Sequence, residues 1–224
     1  RSAVVRAIIR IADDDALASV ARFLKHPEKK VRVLAAYVLG QTHGALAATQ
    51  LQGALQDDSF DVREAAIKAL GDLRDADVVD VLLELARDPQ RYPYLWVIDS
   101  LGKSGNLKAL PGLMTALQHH SVEVREAAMD GLSRLRAREA IPALISFLDN
   151  SHARLRQSAA KSLEKLRKYL EVERQLSGRK SDAHQTMEIS TIGEQDSRAS
   201  GEAPLFGEDK AAWEQWWLRQ GPGQ

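Results

Sequence analysis

The chain has 224 residues, 44% of them hydrophobic, and its 31 Lys and Arg residues are matched by 31 Asp and Glu. Zero net charge excludes a protein built chiefly to coat nucleic acid or an anionic membrane, since such proteins carry a clear basic excess. The lack of cysteine excludes disulfides, thiolate metal ligands and Cys nucleophiles, and no run approaches the roughly 18 apolar residues that a membrane span needs.

The chain starts at Arg1, without Met and inside a helical pattern, so it reads as a piece of a longer precursor. The compartment is left open, with the cytoplasm favoured and an exported precursor as the alternative. From Arg1 onward the sequence repeats. Arg1, Arg32, Arg63, Tyr94, Arg125 and Arg156 stand at a period of 31 residues. Seven residues beyond each lie Ile8, Leu39, Leu70, Leu101, Leu132 and Leu163; three beyond lie Val4, Ala35, Ala66, Val97, Ala128 and Ala159. At this hydrophobic content, six apolar residues fill one column by chance about once in a hundred. Two such columns four residues apart mark one face of an amphipathic helix, the second helix of each repeat.

A first helix precedes each second helix, with columns such as Leu17, Ala48, Val79, Leu110, Ile141 and, further along, Leu51, Leu82, Leu113, Leu144. Pro111 and Pro142 fall in its first turn, where a missing N–H costs nothing. His26-Pro27, Asp57-Asp58, Asp88-Pro89, His119-His120 and Asn150-Ser151 supply turns between the paired helices. Gly40, Gly71 and Gly102 follow the second helices, where a left-handed terminus is expected. Small residues at Ala7, Ala69, Ser100, Gly131 and Ser162 are expected to let neighbouring helices approach closely. A helix–turn–helix unit at such a period implies an all-α solenoid over 1–176, with an orphan second helix at 1–11 and five complete pairs after it.

After Leu176 the pattern stops. Residues 177–204 are rich in Ser, Gly, Asp, Glu, Gln and Thr and read as a flexible linker. Residues 205–220 form a Trp-rich helical segment, with Trp213, Trp216 and Trp217 on one face and acids near its start. An exposed helix of three tryptophans is a sticky patch, so the tail is expected to dock on its own solenoid or on a neighbouring subunit.

The run from Asp57-Asp58 through Val62-Arg63, Ala65-Ala66 and Leu70-Gly71 resembles HEAT-like repeats of the short bacterial type, often named after phycobilisome lyase subunits. The resemblance covers about three quarters of the chain. It implies that the second helices line a concave face. It also implies that the repeated arginines Arg32, Arg63, Arg125 and Arg156 bond carboxylates and carbonyls at the turns between repeats. The Phe206-Gly207 to Trp217 ending is similar to tails of bacterial HEAT-like proteins. On function the resemblance is nearly silent, because such repeats serve scaffolds, lyase subunits, DNA-repair enzymes and regulators.

No catalytic, cofactor or metal constellation is visible. Gly102-Lys103-Ser104 echoes the end of a phosphate loop, but position 97 is Val where that motif needs glycine. No histidine is followed by Glu, the pair on which the iron-binding HEAT-repeat hydroxylases rely. One block departs from the pattern: Tyr92-Pro93-Tyr94-Leu95-Trp96 places Tyr94 in an arginine column and Trp96 in a column of small or aliphatic residues. It reads either as a repacked joint or as an aromatic anchor, since Trp and Tyr dominate interface hot spots.

The expected function is a non-catalytic scaffold or adaptor that binds an unidentified protein on the second-helix face, through Tyr37, Tyr92, Tyr94, Leu95, Trp96 and Asp99. The alternative is a phycobilisome-lyase-like subunit acting on a chromophore or modified protein together with a second subunit. Binding to DNA is the least favoured, because the exposed offsets of the second helices mix acids with bases.

Overall fold

The computed structural model describes residues 14–42, 45–73, 76–185 and 206–221, and the orphan helix expected at 1–11 lies outside them. Eleven α-helices, and no strand, occur among the described residues. They are α1 (Asp14–Arg22), α2 (Lys29–Gly40), α3 (Ala45–Ala54), α4 (Phe60–Leu73), α5 (Ala76–Leu85) and α6 (Tyr94–Lys103). There follow α7 (Leu110–Ala116), α8 (Val122–Arg134), α9 (Ile141–Ser146), α10 (Ala153–Gln185) and α11 (Lys210–Arg219). Odd-numbered α1 to α9 are the first helices and even-numbered α2 to α10 the second, giving five pairs in an all-α solenoid architecture.

Packing divides the chain into two compact units, residues 1–137 and 138–224. The first holds four pairs, the second the fifth pair and the tail. The division falls before the end of the repeat pattern, because the tail helix α11 packs on α9 of the fifth pair. Helix α10 runs on to Gln185, so its last residues fall within the stretch whose composition reads as linker. Residues 186–204 lie outside the described residues.

Each pair closes on the apolar columns. Leu39, Leu70, Leu101, Leu132 and Leu163 are fully buried, as are Ala66, Val97, Ala128 and Ala159. From the first helices, Leu51, Leu82, Leu113, Leu144 and Ile141 meet them. Local chemistry sets the helix starts. Pro lies in the first turn of α7 and α9, Pro93 precedes α6, and the Ser121 side chain caps α8 by accepting from Val124 N at 3.3 Å.

In the first unit the second helices also pack on one another, α2 on α4, α4 on α6 and α6 on α8. The crossings are made by glycine against a small residue of the next repeat. A Cβ on Gly40 would lie 2.6 Å from Ala69 Cα, and one on Gly71 would lie 2.6 Å from Ser100 Cβ. One on Gly102 would strike the backbone of Gly131. Ser100 adds a buried hydrogen bond from its hydroxyl to Ile67 O at 3.0 Å. The small column Ala69, Ser100 and Gly131 therefore does what was expected of it. The three glycines do not terminate helices in a left-handed turn: they lie within the helices, and the described glycines of positive φ are Gly105, Gly207 and Gly221. Glycine stands at these crossings for lack of a side chain, not for its backbone freedom.

Gly102→Ala is expected to destabilise the protein by about 1–3 kcal/mol, since two backbones must separate. Gly53→Ala, on α3, would place its Cβ in open space and is expected to be neutral or to stabilise by up to about 1 kcal/mol. Urea unfolding of both variants checks the contrast; equal effects would show that the crossing is not tight.

Candidate functional site

Four of the five turns between paired helices are built to one pattern, and in the other Asp88 Oδ1 accepts from Arg91 N, three residues on. His26 Nδ1, Asp57 Oδ1, His119 Nδ1 and Asn150 Oδ1 each accept the backbone N–H two residues on, at 3.1, 2.8, 3.1 and 3.0 Å. The side chain thus closes the turn and leaves its carbonyls facing inward. Three of the four column arginines hold those carbonyls, and among the described residues no such bond is made by Arg125. Arg32 Nη1 donates to His26 O and Pro27 O, Arg63 Nη1 to Asp57 O and Asp58 O, and Arg156 Nη1 to Asn150 O and Ser151 O.

A second set of bonds reaches the next repeat. Arg32 grips both oxygens of Asp57 in a fork, Nε to Oδ2 at 2.7 Å and Nη2 to Oδ1 at 2.9 Å. Burial alone would raise the Asp57 carboxyl. The bonds from Arg32 and from the Ser59 N–H, with the nearby charges of Arg32 and Arg63, outweigh it and hold the group below its ordinary value. The Nε atoms of Arg63 and Arg125 are buried without a hydrogen-bond partner.

Tyr94, in the arginine column, makes the same step with a ring: it stacks on His119 with centroids 5.0 Å apart. His119 occupies the turn position of the next repeat that Asp57 occupies for Arg32. Tyr92 is buried, and its hydroxyl accepts from Gln56 Nε2 at 3.3 Å. These two tyrosines thus lie among the turns. Trp96 points elsewhere. It is half-buried on the second-helix face, with Lys68 Nζ of α4 3.3 Å from its ring centroid. Leu95 and Asp99 are half-buried on the same helix, and Asp99 pairs with Lys103 at 2.8 Å.

Charges on this face engage one another along the repeats. Gln41 donates to Asp72, which lies 3.7 Å from Lys103, and Glu64 pairs with Lys68, Asp130 with Arg134. Lys103 is thereby occupied by acids, and the hydroxyl of Ser104 donates to Leu101 O, closing a helix end. Among the described residues no group of three or more His, Cys, Asp or Glu converges as a metal site would require, and no helix is long and apolar enough to cross a membrane.

A groove of ≈ 1180 Å³ lies on this face between α2 and α4, lined by Val33, Leu34, Tyr37, Ala65, Lys68 and Ala69 among others. Leu34 and Tyr37 are 50% and 52% exposed. Tyr37 was legible in the sequence as a residue of this face. So was Val33, at an exposed offset of the same helix; Leu34 and Ala65 were not, although Leu34 stands in a column otherwise held by alanine, serine and Trp96, which was a usable signal.

The second unit carries the tail. Trp213 is fully buried, packs edge-on against Phe206 at 5.0 Å and Trp216 at 5.6 Å, and donates from Nε1 to Gly207 O at 3.0 Å. Glu164 of α10 accepts the Phe206 N–H at 3.1 Å, and Arg167, buried between Glu164 and Glu171, lies with its guanidinium 5.2 Å from the Phe206 ring. Arg138 lies over Trp217 at 5.4 Å and donates to Gln220 O at 2.9 Å, while Lys210 pairs with Asp149. Glu208 accepts from Arg156 Nε at 2.7 Å. Asp209 starts the helix by accepting from Ala212 N. Of these partners the sequence signalled the tryptophans and Arg156; Arg138, Glu164, Arg167, Glu208 and Lys210 depend on how the tail returns.

A family model described as HEAT repeats matches residues 21–95 and 87–164. Among solved structures the chain is similar to one from the complex of CpcE and CpcF of phycocyanin lyase from Nostoc sp. PCC7120. The identity is 24% and the TM-score 0.58, over 67% of this chain and 64% of that one. It is also similar to an engineered protein at 17% identity and a TM-score of 0.54, over 96% of this chain and 60% of that one. The chain therefore spans less than two thirds of either, and at these identities the likeness is one of fold. No curated protein matches the sequence.

The Tyr94–His119 joint has a pH signature. Burial, followed by the neighbouring charges of His120 and Arg125, holds His119 below the ordinary histidine value. The unfolded chain then takes up this proton before the folded one does. The contribution is present above the unfolded value of about 6.5 and is lost as pH falls from there through the folded value. In urea unfolding between pH 7.5 and 5, His119→Gln is expected to lose less stability on acidification than the wild type. Equal losses would dismiss the joint as a titrating element.

Proposed function

The chain belongs to the HEAT-repeat family, and from that premise we propose that it is an interaction scaffold that holds another protein on the second-helix face of its first unit. The observation that carries this reading is the apolar groove at Leu34 and Tyr37, set in a face whose charges are mutually paired. Trp96, Leu95 and Asp99 continue that face; Tyr92 and Tyr94 belong to the turns and serve the joint between repeats. Lys68, Lys103 and Arg134 are engaged by acids, so a DNA backbone would have to displace them before binding.

A second reading, a lyase-like subunit working with a partner subunit, draws on the likeness to the chain from the phycocyanin lyase complex. It calls for a pigment or modified protein on co-purification. In either case the partner protein occupies the scaffold face. The chain, crosslinked and purified, is expected to retain a stoichiometric partner that the Leu34→Asp variant loses at an unchanged unfolding midpoint. The same partner held equally by both proteins would overturn the assignment of this face.

We further propose that the tail acts in cis as the closing layer of the fifth pair. Support comes from the burial of Trp213 and from Glu208, which meets Arg156 Nε as Asp57 meets Arg32 Nε. Solenoids need such an end, because the last repeat otherwise exposes the surface meant for a neighbour. Tryptophan emission at Trp213 is expected to be blue-shifted and shielded from acrylamide in monomeric protein, in a variant with Trp96, Trp216 and Trp217 each replaced by Phe. Full quenching of the monomer would exclude docking in cis.

A further inference from the structure

The groove between α2 and α4 and the gap between α4 and α6 are successive copies of one architectural position. In the second copy Trp96 stands where α4 carries Ala65, and the ammonium of Lys68, on the preceding helix, lies 3.3 Å from the indole centroid. The fold therefore already holds an indole between two consecutive second helices, with a side chain of the earlier helix over its face. In the first copy the plug is missing: Ala65 leaves the space open, and Tyr37 takes the place of Lys68 at the same helical offset.

The charges around this opening are balanced locally. Lys29 pairs with Asp61 at 2.7 Å, Lys68 with Glu64 and Lys103 with Asp72, while Glu28 and Lys30 are of opposite sign. No excess charge calls for a phosphate or an acidic peptide. The apolar lining includes Val33, Leu34, Ala65 and Ala69, and Tyr37 contributes a ring. A neutral ring entering above Ala65 would meet Tyr37 on one side and the aliphatic stem of Lys68 on the other, and aromatic pairs favour such offset or edge-on contacts.

We propose that this groove is a socket for an aromatic side chain, tryptophan or phenylalanine, presented by a protein partner, with Trp96 as the built-in copy of the bound state. The proposal rests on the scaffold reading and adds the chemistry of the anchor. It explains why adjacent copies of the same position differ: one is filled by the chain itself, the other is left for a partner's ring.

The test is a methyl NMR titration of the whole chain with N-acetyl-tryptophanamide, N-acetyl-phenylalaninamide and N-acetyl-leucinamide. Both aromatic probes are expected to shift the methyls of Val33, Leu34 and Ala65 saturably, and the leucine probe to bind at least fivefold more weakly. Ala65→Trp, which copies position 96, is expected to fill the socket and abolish the response of Val33 and Leu34 without changing the helical content. Tyr37→Ala, a milder change at an exposed position, is expected to weaken the aromatic probes at least threefold. No saturable shift at these methyls, an equal response to leucine, or a response that survives Ala65→Trp or Tyr37→Ala would overturn the socket. A silent titration with the protein partner still lost by Leu34→Asp would sink the socket alone; a positive titration with no partner on that face would sink the scaffold reading alone.

Discussion

The close crossing of consecutive second helices is the constraint on which the first unit depends. Gly40 over Ala69, Gly71 over Ser100 and Gly102 over Gly131 bring backbones together at places where no side chain fits between them. That approach fixes the helix spacing, and the spacing in turn decides what the buried leucines can fill. It also decides how wide the exposed side is. Where the next residue on that side is Ala65 the result is a groove; where it is Trp96 the gap is covered. Packing and surface are thus two sides of the same crossing.

The turns are governed by a different interaction, the arginine that ties turn carbonyls to the helix after them. Its directional fork needs a planar guanidinium, and a lysine could not satisfy two carbonyls and a carboxylate at once. At the third joint another planar group stands in its place, with Tyr94 stacked on His119. In the fifth pair, Arg156 holds its turn as Arg32 and Arg63 do and donates from Nε to Glu208. The chemistry between one repeat and the next is therefore reused between the fifth pair and the tail.

Much of this was legible in the sequence because repetition reports on itself. The leucine and alanine columns, the arginine column and the turn positions each recur, so a single misread block could not hide them. The glycines were misassigned for an instructive reason. Near a helix end, glycine is equally consistent with a left-handed cap and with a close crossing, and only the position of the neighbouring helix separates the two. The aromatic block was likewise ambiguous in one dimension. Tyr92, Tyr94 and Trp96 are neighbours in the chain, yet two lie among the turns and one lies on the second-helix face against Lys68.

The sequence by itself determined the period, the all-α class, the pairing of helices and the residues that form the core, because those follow from local periodicity and hydrophobic burial. Only the tertiary structure decided which small residues meet, where an opening is left between helices, and which side chains receive the tail. Those outcomes depend on distances between residues about 30 or more positions apart, down to Arg156 and Glu208, and no local pattern encodes a distance of that kind. The physical reason is that burial selects faces, whereas steric contact between different helices selects partners.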